Sequence, residues 1–106
     1  NLSFCYKFGN RNPDMLIFEW DSKKATLNLK KHNISFVEAS TAFEDPLSIS
    51  IDDPLHSNYE KRQVLIRMSH NNRILVVVHS ERGDNIRIIS ARKATKRERK
   101  YYEGNA

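Results

Sequence analysis

One cysteine, three glycines and three prolines are all that the 106 residues hold of the side chains that staple, loosen or break a chain. With Cys5 alone no internal disulfide can form, which suits a reducing compartment. Three glycines leave no phosphate-cradling glycine loop. Cys5 and four scattered histidines lack the spacing of zinc ligands, so no metal or other cofactor is expected. No apolar run approaches the ~18 residues that a membrane-spanning helix needs, and the first residues lack the apolar core of a signal peptide. A cytoplasmic protein that meets no membrane is the expectation.

What is present fits one folded domain. Hydrophobic residues make up 39% of the chain, and its length leaves no room for a second core. The net charge of +5 points to an anionic partner, and either nucleic acid or an acidic protein satisfies it.

Residues 1–14 show no clear period and read as an irregular lead-in or an added extension, with a single domain over 15–106. Leu16–Trp20 is a short β-rich run. Asp21 is a good N-cap for a helix through His32, with Ala25, Leu29 and His32 as its apolar stripe. Ser35 and Glu38 form a capping box for a second helix that buries Phe36, Ala39 and Phe43 and stops before Pro46. Leu47, Ile49 and Ile51 then alternate with polar residues, as in a half-buried strand. Arg62–Met68 follows, with Val64, Ile66 and Met68 on one side, and Ile74–Val78 is apolar on both faces and therefore central. Turns at Asn71-Asn72 and Gly83-Asp84-Asn85 separate these from a last strand, Ile86–Arg92. Thr95 and Glu98 make a second capping box, opening a helix to Glu103. The expected class is α+β, in the order β-α-α-β-β-β-β-α, with helices gathered against an antiparallel meander of about four strands.

Several of these segments together resemble the BrnT toxins. The likeness begins at Phe18-Glu-Trp-Asp21, Lys24, Asn28 and Lys31-His32-Asn-Ile-Ser-Phe36, and continues through Glu38-Ala39 and Phe43-Glu-Asp-Pro46. It closes on Arg87–Arg92 and the block to Tyr102. Asn33 stands where the family commonly has glycine, a position that a left-handed conformation requires and asparagine tolerates. The resemblance implies a fold similar to the RelE-type ribonucleases, and RNA cleavage without a metal. It also implies neutralisation by a BrnA-like ribbon-helix-helix antitoxin in a 2:2 heterotetramer, with operator DNA bound only through that antitoxin.

Metal-free cleavage of RNA needs a base for the 2′-hydroxyl, cations for the charge on the phosphoryl oxygens, and an acid for the leaving oxygen. Arginine suits the second task, because its fork pairs with two oxygens and stays charged. Arg92, at the end of the last strand and beside a helix N-terminus, is the leading candidate. Arg87 shares that strand but by alternation lies on the other face. His32 and His79 are candidate acid or base, each also readable as a packed residue, whereas His56 and His70 read as surface. Glu38 and Glu98 are explained as capping residues. His79, Ser80 and Glu81 point alternately along a strand and form no triad. Lys31, Lys93, Lys96, Arg97 and Arg99 are candidate RNA-backbone contacts, with Tyr101 or Tyr102 for base stacking. The alternatives are a non-enzymatic nucleic-acid-binding module, or an inactive toxin retained as co-repressor with its antitoxin.

Overall fold

The first helix begins as a capped helix should. The Asp21 carboxylate accepts from the Lys23 and Lys24 amides at 2.8 and 3.1 Å, satisfying donors that have no partner within the helix. The computed structural model describes residues 4–8, 16–44, 49–52, 62–82 and 85–104. Strands β1 (Phe4–Phe8) and β2 (Leu16–Trp20) precede helices α1 (Ser22–His32) and α2 (Phe36–Thr41), the latter extended by a 3₁₀ turn at Ala42–Glu44. Strands β3 (Ile49–Asp52), β4 (Arg62–Met68), β5 (Ile74–Arg82) and β6 (Asn85–Lys93) lead to helix α3 (Lys96–Gly104). Asn33 ends α1 with φ of 58°, the left-handed cap expected there.

β3 to β6 form the expected antiparallel meander, and the full order is β1-β2-β6-β5-β4-β3. Two features differ from expectation. β2 runs parallel to β6, with Phe18 opposite Ile86 and Glu19 opposite Arg87, so the sheet is mixed. The lead-in also contains β1, which pairs antiparallel with β2 from Phe4–Trp20 to Phe8–Leu16. Its signal in the sequence is an aromatic residue at every second position, over only five residues. Leu47 and the Gly83-Asp84 turn lie outside the described residues.

The helices cover both faces of the sheet. On one face Phe18, Trp20, Leu75, Val77, Ile86, Ile88 and Ala91 meet Ile34, Phe36 and Ala39. Burying each large apolar side chain there contributes about 1.5–3 kcal/mol. On the other, Ile66 and Val76 lie beneath Tyr102 of α3, flanked by Val64 and Ile74. β5 is apolar towards both, as its central place requires.

α1 keeps only part of its expected stripe: Ala25 packs against the core and His32 is half buried, but Leu29 departs from it. Leu29 is 47% exposed, and the residue buried towards the sheet is polar Asn28. β2 pairs with β6 only from Asn85 to Arg87, so beyond that point β6 has an open edge where Asn28 takes the place of a strand. Its amide donates to the Ala91 carbonyl at 2.8 Å and to the Ile34 carbonyl at 3.0 Å, while its Oδ1 accepts from the Ala91 amide at 3.1 Å. One carboxamide thus does for Ala91 what a neighbouring peptide would do.

Asn28→Ala strips that partner from three buried backbone groups. A loss of about 1–3 kcal/mol is expected, read as a lower urea midpoint at unchanged m. A midpoint equal to that of the wild type would show that Asn28 does not clip α1 to β6.

Candidate active site

A β-bulge decides which residues share a face. Val78 pairs with Ser90 but His79 pairs with Ile88, so Ile89 is an extra residue in β6. The bulge reverses the alternation beyond it. Arg87 is opposite Ser80, Ser90 opposite Val78 and Arg92 opposite Val76, placing all three β6 residues on the face that carries α3. The expectation that Arg87 and Arg92 lie on opposite faces is therefore corrected. They stand four strand positions apart, about 13 Å at the usual rise.

Arg87 belongs to a polar row across this face. Arg62 of β4 is opposite Ser80, Ser80 is opposite Arg87, and Arg87 is opposite Glu19 of β2. Ser80 and Glu19 are buried, and Asn85 donates to Glu19 at 2.7 Å. Arg62, Ser80 and Glu19 were not singled out from the sequence. They are far apart in the chain, and only strand register brings them together.

Arg92 is held by a carboxylate. Its two terminal nitrogens donate to the Glu98 oxygens at 2.8 and 2.9 Å, and this pairing chiefly holds the Glu98 carboxyl at about 2. Glu98 is also the complete capping residue expected, accepting from the Thr95 amide at 2.8 Å while Thr95 Oγ1 accepts from the Glu98 amide at 3.2 Å. Arg92 therefore orients α3, and to clamp a phosphate it must exchange one anion for another. The pair is partly exposed and contributes on the order of 1 kcal/mol or less.

α3 presents Lys96, Arg97, Arg99 and Lys100 to solvent at the border of the same face. Tyr102 is corrected as a stacking residue: it is 4% exposed and anchors α3 on Ile66 and Val76, whereas Tyr101 is half exposed. Lys93 is exposed at the end of β6, and Lys31 is exposed on α1, away from the α3 cations.

The candidate histidines lie elsewhere. His32 is half buried at the end of α1, in a groove with Lys24, Lys31, Ile89 and Ser90 at the open edge of β6. His79 is 2% exposed on the face of α1 and α2, with its ring edge-on to Phe43 at 5.0 Å. Burial, reinforced by the Arg67 charge and opposed by the Val77 carbonyl, lowers its pKa to about 4. It is neutral at physiological pH and separated by the sheet from both arginines. Glu38 is structural, as expected, but its capping box is half made. Ser35 Oγ accepts from the Glu38 amide at 3.0 Å, while the carboxylate turns to Ser69 at 2.7 Å and to Arg73. His70 is exposed, its amide donating to Thr41; His56 lies outside the described residues. Among the described residues no three His, Cys, Asp or Glu side chains form a group able to hold a metal ion, and no helix is long and apolar enough to cross a membrane.

The family described as the ribonuclease toxin BrnT of type II toxin–antitoxin systems matches residues 20–98. Among solved structures, the ribonuclease toxin BrnT of Brucella abortus, determined at 1.1 Å, superposes with a TM-score of 0.54. It is 21% identical, and the match covers 73% of this chain and 94% of that one. No curated protein sequence matches the chain.

His79 makes stability depend on pH. Its folded pKa of about 4 lies below the ordinary 6.5, so between those values the unfolded chain binds the extra proton. The wild type should lose up to about 1.4 kcal/mol per pH unit as pH falls through that window. His79→Gln should flatten the dependence between pH 6.5 and 4, leaving the carboxylate losses below about 4.5. Parallel stability curves for the two proteins would show that His79 is not held neutral.

Proposed function

We propose, from the premise that this chain belongs to the BrnT family of ribonuclease toxins of type II toxin–antitoxin systems, that it cleaves RNA without a metal on the α3 face of its sheet. The observation that carries this reading is the bulge at Ile89, which turns Arg87 and Arg92 to the same face, beside the cations of α3. Cations on one surface suit a polyanion that runs past in single-stranded form.

The two arginines take different tasks. Arg87, at the polar row, stabilises the charge that develops on the phosphoryl oxygens during attack by the 2′-hydroxyl. Arg92, some 13 Å along the strand, holds a neighbouring phosphate after releasing Glu98, and otherwise keeps α3 in place. Lys96, Arg97 and Arg99 extend the track along the RNA backbone, and Lys93 lies at the strand end next to it. The toxin works in the cytoplasm, where an antitoxin of the ribbon-helix-helix type silences it in a 2:2 assembly by covering this basic surface. Operator DNA is then contacted by the antitoxin alone.

Incubating the purified protein with end-labelled RNA in EDTA tests the reading. Cleavage is expected, and Arg87→Ala should slow it by about 10²-fold or more with the circular dichroism spectrum unchanged. Arg92→Ala should both slow cleavage and lower the melting temperature, because α3 loses its tie. Binding that falls steeply with salt while the strand stays intact would replace the enzyme by a binding module. Full cleavage by folded Arg87→Ala and Arg92→Ala proteins would move the site off this face.

A further inference from the structure

On the opposite face of the sheet, Phe43, Gln63, Leu65, Arg67, His79, Glu81 and Ile86 line a cavity of about 340 Å³. Nothing in the proposed cleavage step uses it. His79 forms part of its wall, and its Nδ1 is fully buried with no close partner, the Val77 carbonyl of its own strand being the one polar group that acts on the ring as an acceptor. A buried polar atom without a partner is costly in a folded protein, and at a cavity wall it marks a place where a ligand atom supplies the bond.

The lining selects the ligand. Leu65, Ile86 and the Phe43 ring supply an apolar part of a lining that is otherwise polar, and Gln63 and His79, opposite each other on β4 and β5, offer donors and acceptors side by side. An anion is disfavoured. One terminal nitrogen of Arg67 donates to the Phe43 carbonyl at 2.9 Å, its guanidinium lies over the Phe43 ring, and exposed Glu81 sets an opposite charge against it in the same lining. A neutral group with an apolar body and a hydrogen-bonding edge is what remains, and in an RNA substrate that group is the base.

The cavity and the Arg62–Ser80–Arg87 row occupy the same end of β4, β5 and β6 on opposite faces, since Gln63 and His79 adjoin Arg62 and Ser80 in the strands. We propose that this cavity receives one unstacked RNA base, read by Gln63 and His79, while the adjoining phosphates pass to the arginine face. The proposal rests on RNA being the substrate and deepens that reading by assigning the source of base preference.

The test follows the His79 ring signals by NMR while the full chain is titrated with adenosine, guanosine, cytidine and uridine, and separately with inorganic phosphate. At least one nucleoside should shift His79 with saturation, phosphate should not, and Gln63→Ala should weaken that nucleoside by about tenfold. His79 signals that stay still with all four nucleosides, or that respond only to phosphate, overturn the proposal. In parallel, sequencing the ends produced by the wild type and by Gln63→Ala should show a base preference that broadens in the variant, and an unchanged preference overturns the assignment. Failure of the wild type to cut RNA counts against the ribonuclease site, whereas the nucleoside titration judges the cavity independently.

Discussion

The arrangement of both faces depends on how Asn28 holds the open edge of β6. Where β2 stops pairing, β6 would present a bare amide and carbonyl at Ala91, and the Asn28 carboxamide meets both while reaching the Ile34 carbonyl behind it. A side chain that mimics a peptide can satisfy an edge without extending the sheet, so a helix can approach where a strand would otherwise lie. It secures α1 two residues beyond the bulge, and the bulge is what carries Arg92 round to the face of Arg87. Buried as it is, Asn28 outweighs the apolar stripe that α1 otherwise offers, and Leu27 and Leu29 are left largely in solvent.

The two capping glutamates show how one motif acquires two uses. Thr95 and Glu98 close a full box at a half-exposed helix start, and the same carboxylate orients Arg92. Glu38, more deeply buried, abandons the reciprocal half of its box for Ser69 and Arg73, which ties α2 to the β4–β5 turn. Burial sets the difference. A carboxylate removed from water needs stronger donors than one backbone amide, and a guanidinium supplies them.

The sheet also divides the titratable and cationic groups into two populations. Arg87, Arg92 and α3 form a charged face suited to phosphates, whereas His79 is kept neutral by burial on the other side. The low dielectric that disqualifies His79 as a proton donor at neutral pH is also what makes a hydrogen bond to it selective.

Local chemistry was legible in the residues themselves. The Asp21 cap, both helix starts, the β3–β6 meander and the central place of β5 follow from short-range spacing, because each depends on neighbours within a few positions, whereas the left-handed Asn33 was implied by the family resemblance. The candidate arginines and the family likeness were likewise readable. Tertiary structure alone decided the rest: the parallel seat of β2, the burial of Asn28 and Tyr102, and the Arg62–Ser80–Arg87–Glu19 row. The extra residue at Ile89 is the clearest case. Alternation read along β6 separates Arg87 from Arg92, and one unpaired residue, set by pairing with β5, reunites them. A bulge belongs to two strands at once, so a pattern read along one of them does not contain it.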